Sequence, residues 1–103
     1  MNHDLLHWDI HEITAEGTAL HGVMLRGRIR KLGLERGFNV LCENAGDTEN
    51  CVRFAVLAAH DAEIVTDYLT SVVPNVQVRV IAQAVANPVL SKLKVNRTER
   101  YTL

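Results

Sequence analysis

His7, Asp9 and His11 stand at alternate positions near the start of the chain. On an extended strand that spacing puts them on one face, with alternate side chains roughly 7 Å apart. Two imidazoles flanking a carboxylate could hold zinc, copper or nickel if a neighbouring strand added a ligand. The plainer reading is a solvated strand face, so no metal and no cofactor is expected. Cys42 and Cys51 flank a turn-rich stretch and could face each other across a hairpin. Strand parity argues against a disulfide. Phe38, Val40 and Cys42 share one face, as do Val52, Phe54 and Val56. A single core then needs Val40 opposite Val52 or Phe54, with Cys42 inside and Cys51 on the outer face. Reduced thiols are the expected state. Neither cysteine has a sequence-adjacent histidine, and no nucleophile elbow, phosphate loop or dinucleotide fingerprint occurs.

A second group with chemical potential is the basic set Arg26, Arg28, Arg30, Lys31 and Arg36. Such a cluster could meet nucleic-acid phosphates. An RNA-reading sheet also needs exposed aromatic side chains for base stacking. Trp8, Phe38, Phe54 and Tyr68 instead fall on core positions, and nucleic acid is not an expected partner.

These residues need a scaffold, and its size is bounded. The chain has 103 residues, 48% hydrophobic and 22% charged, with a net charge of −1. That suits one soluble globular domain, 1–103, and points to no polyanion or membrane partner. No apolar run approaches the ~18 residues of a membrane span, and the N-terminus has no signal-peptide pattern. A cytoplasmic location is the expectation.

Periodicity orders the elements. Leu5 to Ile13 alternates, with Leu6, Trp8 and Ile10 expected inside and His7, Asp9 and His11 outside. Leu25, Ile29 and Leu32 form one stripe of a helix over 21–34, with Thr18 near its start as a candidate cap. Gly33 is expected to end that helix, and Gly27 to permit close packing against a strand. Phe38–Glu43 and Cys51–Leu57 read as strands joined by a polar hairpin, Asn44–Asn50. Asp61 suits an N-cap for a second helix whose buried stripe is Val65, Leu69 and Val72. Val76–Ala84 alternates as a fourth strand, and Leu90–Val95 as a short fifth. Residues 96–103 read as a flexible tail. The order strand, helix, strand, strand, helix, strand predicts an α+β, ferredoxin-like split βαββαβ sandwich: an antiparallel four- to five-stranded sheet with two helices on one face.

Over Leu6 to Val95 this order resembles the acylphosphatases. The specific likenesses are Arg30-Lys-Leu-Gly-Leu34 closing the first helix, Gly37-Phe38 opening the second strand, and Asn44 with Gly46-Asp47 in the hairpin. Val73-Pro74-Asn75 matches the end of the second helix, and Leu90–Val95 the final strand. The resemblance implies a glycine-rich loop after the first strand that cradles a phosphate and ends in an arginine, and an asparagine that positions the attacking water. Asn44 matches that asparagine. The loop here reads Ile13-Thr-Ala-Glu-Gly-Thr-Ala-Leu-His-Gly22, without the paired glycines, the glutamine or the arginine. His21 or Gly22 stands where the arginine should be, and Glu16 adds a negative charge. Losing a guanidinium that stabilises transition-state charge could cost on the order of 10³-fold in rate.

The expectation is therefore an acylphosphatase-like domain that has lost its catalysis and serves in binding or assembly. Its expected partner is a second copy, through the open sheet face, or another protein. The alternative is a divergent acylphosphatase hydrolysing small acyl phosphates. In it Gly17, Thr18 and Gly22 would hold a small phosphate-bearing ligand, His21 would supply charge, and Asn44 would hold water.

Overall fold

Strand-period and helix-period stretches alternate along the chain, and each becomes an element. The computed structural model describes residues 6–92 (side chains at 22 and 23 aside). The elements are β1 (Trp8–Ala15), a 3-10 turn (Leu20–Val23), α1 (Leu25–Arg36), β2 (Val40–Asn44), β3 (Cys51–Val56), α2 (Ala59–Val72) and β4 (Val76–Val85). The strands form one antiparallel sheet in the order β2-β3-β1-β4. Leu25 and Ile29 of α1 share a buried cluster with Val65 and Leu69 of α2 and with Ile13, Val52, Phe54 and Val56. Both helices thus lie on one side of the sheet, the ferredoxin-like α+β arrangement. Among the described residues no helix is long and apolar enough to cross a membrane.

The facing of β1 is the reverse of the expectation. His11 and Ile13 point toward the helices, with His11 stacked on Phe54 at 4.8 Å. Ile10 points the other way, into a second cluster with Ala55, Val85 and Leu90, and Trp8 packs against it. Apolar residues of both parities occur along this strand because both of its faces are buried. Alternation read from its N-terminal end alone selects the wrong face. On β4, register shifts opposite Trp8–His11 and a positive φ of 55° at Ala84 mark a bulge, which brings both Ile81 and Ala82 against this second cluster.

The cover over the second cluster is the strap after β4. Leu90 is buried there, and the Ser91 carbonyl accepts the Gly46 N–H at 2.6 Å. Arg53 and Ala55, which alternate with Val52, Phe54 and Val56 and so belong to the sheet face expected to be open, are fully buried. Leu90–Lys92 lie in no strand, and the remainder of the expected fifth strand and tail falls outside the described residues. The hairpin register sets Val40 opposite Val56 and Cys42 opposite Phe54, two residues beyond the expected Phe54 and four beyond the expected Val52. Both cysteines are free and buried, so Cys51 is outer only in the sense of the second face.

Helix boundaries also move. Met24, at φ 54°, separates the 3-10 turn from α1, so the expected single helix is two pieces. Thr18 and Asp61 are not caps: Ala19 precedes the turn, and Ala58 precedes α2. The two glycines of α1 exchange roles. Gly37, at φ 78°, ends the helix, while Gly33 lies within it, buried. A Cβ at Gly33 would meet Val40 Cγ1 at 2.7 Å and the Phe38 carbonyl oxygen at 3.0 Å, whereas one at Gly27 meets nothing within 4 Å. Gly33 is the close-packing residue because α1 crosses the start of β2 there. Gly27→Ala should raise stability by about 0.5–1 kcal/mol through helix propensity. Gly33→Ala should lower it by about 1–3 kcal/mol through overpacking. Urea denaturation of the two variants should show opposite signs.

Candidate functional site

The loop between β1 and α1 is the candidate site. Gly17, at φ 75°, turns the chain after Ala15, and Leu20 then plugs the core. The path between them is fixed from across the sheet by Asn50, which ends the hairpin with φ 48°. Its Oδ1 accepts the Leu20 N–H at 2.8 Å, and its Nδ2 donates to the Ala15 carbonyl at 3.0 Å and the Thr18 carbonyl at 2.8 Å. Asparagine tolerates the left-handed region and offers one acceptor and two donors, which is what this clasp uses. Sequence reasoning missed Asn50, because one more polar residue in a turn carries no signal of a partner 30 positions away.

Two expected residues meet at the same end of the sheet. His21 is exposed, with Nε2 at 3.3 Å from the Cys51 carbonyl oxygen. Asn44 is half-buried at the end of β2, opposite Val52, the residue after Cys51. Gly22 belongs to the 3-10 turn beside His21. Thr18 reaches the Pro74 carbonyl through Oγ1 at 3.5 Å. A shallow groove of about 220 Å³ beside the loop is lined, among the described residues, by Thr14, Ala15, Glu16, Asn75 and Gln77, of which Glu16 alone is ionisable, and it is acidic. The helix arginines are engaged elsewhere. Arg30 donates to the Cys42 carbonyl at 2.6 Å and to Glu43 at 2.8 Å, Arg26 lies 3.6 Å from Glu43, and Arg28 sits over the Tyr68 ring. The Leu20 amide already has an acceptor in Asn50.

His7, Asp9 and His11 are not assembled as a ligand set. His7 precedes β1 and is exposed. Asp9 Oδ1 accepts the Ala84 N–H at 3.1 Å, and His11 Nδ1 lies 3.3 Å from the Asp9 carbonyl oxygen. Burial holds the His11 imidazole below its ordinary pKa, partly opposed by the Asp9 carbonyl and charge. Among the described residues no three His, Cys, Asp or Glu side chains gather as a metal-holding group.

A buried charge cluster under the strap was also missed. Arg53 is 0% exposed and Glu12 5%. Arg53 Nε donates to Glu12 Oε2 at 3.0 Å, Nη1 contacts Asp47 at 2.7 Å and the Leu90 carbonyl at 3.1 Å, and Nη2 donates to Thr48 at 3.2 Å. Arg79 donates to the other Glu12 oxygen at 3.0 Å. Burial by itself would raise the Glu12 pKa, but the bonds from Arg79 and Arg53 outweigh it and hold the carboxyl below its ordinary value. Burial pushes the Cys42 thiol up to about 12 and the Cys51 thiol up to about 11. Neither is a nucleophile near neutral pH.

No known protein family matches the chain, and comparison with curated proteins found no match.

Arg53→Ala leaves the buried Glu12 carboxylate with only the largely exposed Arg79 and should cost about 3–5 kcal/mol in urea denaturation. Arg79→Ala removes a largely exposed partner and should cost under about 1 kcal/mol. Glu12 and His11 both have depressed pKa values in the folded state, so each contribution is whole above its unfolded value and lost on acidification. Stability should begin to fall below pH 6.5, as His11 is protonated in the unfolded chain, and fall further below pH 4.5 for Glu12. Glu12→Gln should flatten the lower limb of a plot of urea midpoint against pH. A disulfide-exchange reagent at about pH 8 should find no reactive thiol in the folded chain, and both cysteines once it is unfolded.

Proposed function

We propose that this chain is an acylphosphatase-like domain that no longer hydrolyses acyl phosphates and works in the cytoplasm by binding or assembly. The observation that carries the reading is the state of the loop after β1. The Asn50 amide takes up the Leu20 N–H and the Ala15 and Thr18 carbonyls, and among the described residues no cation lines the groove beside the loop. An anion there would face Glu16 with no compensating charge. The ferredoxin-like fold supports kinship with that family but does not decide activity. Two free, buried thiols suit a reducing compartment.

For assembly, the surface on offer differs from the face first expected, because Arg53 and Ala55 lie beneath the chain's own strap. The longer of the two sheet edges is β4, a strand of ten residues on which Val80 is 48% exposed. Among the described residues no strand pairs with its outer side, and an edge of that length is a natural place for a second copy to add a strand. A divergent acylphosphatase is the second reading, favoured by His21 and Asn44 lying at one end of the sheet.

Benzoyl phosphate tests the choice. The purified chain should hydrolyse it no faster than buffer does. Turnover that disappears in Asn44→Ala would overturn the first reading in favour of the second. Sedimentation velocity across a concentration series should show self-association, and Val80→Lys should weaken it by about tenfold in Kd. A monomer throughout would remove self-assembly through β4 from the proposal.

A further inference from the structure

The regular and irregular parts of β4 lie in separate halves. Residues 76–80 pair one for one with residues 11–15 of β1, and past Val80 the register shifts twice. A bulge bends the strand that carries it, so an added strand can pair straight only along 76–80. The side chains of this half are sorted by face. Val76 and Val78 pack against the helix-side core, and Val80, opposite His11, shares that side. Gln77 and Arg79 point to the other side, where Arg79 reaches Glu12.

The acidic groove beside the loop opens on that other side. Its walls include Gln77 at the start of β4, Thr14 opposite it, and Glu16. A groove with a carboxylate, two amides and a hydroxyl suits a cation. We propose that β4 pairs antiparallel with β4 of a second copy in the register centred on Val78, and that Arg79 of each copy enters the other's groove to meet Glu16. This rests on self-assembly through β4 and adds to it a register and a polar anchor.

Elimination selects the register. Keeping valine opposite valine sets the two helix layers on one side of a continuous sheet. A register centred on Arg79 or Val80 brings Ile81 and Ala82 of the bulge into the ladder, and the first also sets two guanidinium groups face to face. Centred on Gln77, Val80 falls opposite Pro74, which lies outside β4 and has no N–H to give. Centred on Val78, Val76 meets Val80, Val78 meets itself and Gln77 meets Arg79, all within the regular half and with no like charges opposed. Strand spacing then puts Arg79 of the second copy roughly 12 Å from Glu16 between Cα atoms, within the combined reach of the two side chains. Arg79 must turn away from its own Glu12 to do this. The turn costs little, because the Arg79 side chain is 75% exposed and Glu12 keeps its bond from buried Arg53.

Sedimentation velocity on charge-reversed chains tests the arrangement. Glu16→Arg and Arg79→Glu should each raise the Kd of self-association at least about tenfold, since each sets like charges together twice per dimer. An equimolar mixture of the two variants should return to within about threefold of the unaltered chain, because every pair in the mixed dimer is again opposite in charge. Circular dichroism checks that each variant is folded. If Arg79→Glu does not fold beside Glu12, Arg79→Ala replaces it, and adding Glu16→Arg to that variant should change the Kd less than about twofold. Association that Val80→Lys weakens but Glu16→Arg does not, or a mixture no tighter than its parts, would overturn the register while leaving assembly through β4 in place. An unaltered chain that stays monomeric at every concentration would overturn both.

Discussion

A fully buried guanidinium constrains most of what surrounds it. Arg53 sits in the middle of β3 with no access to water, and an uncompensated charge there would cost several kcal/mol. It is compensated from four places at once: Glu12 on β1, Asp47 and Thr48 in the hairpin, and the Leu90 carbonyl on the strap. None of the four can move far without stranding a buried N–H. The hairpin therefore folds down over the second face, and the strap crosses it. A hydrophobic residue at this position could be as stable, but it would not specify where the two covering segments go.

That constraint reaches the candidate site through the hairpin. Asp47 and Thr48 tie its tip to the second face, and Asn50, two residues on, ties the loop after β1 to the hairpin's other end. The loop's path is thus set by the same segment that closes over Arg53. In an anion site of this topology the backbone donors would point outward to a ligand, backed by a fixed positive charge. Here the Leu20 amide is spent on Asn50, His21 lies against a carbonyl, and the α1 arginines are held over Glu43 and Tyr68. The end of the sheet thus offers an anion few free donors and no fixed positive charge among these residues.

The candidate residues differed in how readable they were. Asn44, His21 and Gly22 could be placed at one end of the sheet because strand order and helix start fix their positions whatever their contacts. Asn50 and the Arg53–Glu12 pair could not be found, since each depends on partners 30 or more residues away. The pair did leave a trace: an arginine inside the apolar run Cys51–Val56, and a glutamate between two isoleucine-bearing stretches of β1. Read singly, each looks like the solvated side of a strand. The His7–Asp9–His11 spacing failed for a related reason: β1 starts at Trp8 and is buried on both faces.

The sequence by itself determined the order of elements, the ferredoxin-like topology, the buried Leu25–Ile29 and Val65–Leu69 positions of the helices and the lack of an arginine at the loop, because periodicity and residue type are local properties. Val72, expected in the second stripe, is exposed because Ala62 takes the third buried place in α2. Only the tertiary structure decided which face of β1 meets the helices, which α1 glycine packs and which one turns, and that the second face is closed by a strap rather than open. Those outcomes turn on which buried group finds its partner across the sheet, and no stretch of chain carries that information alone.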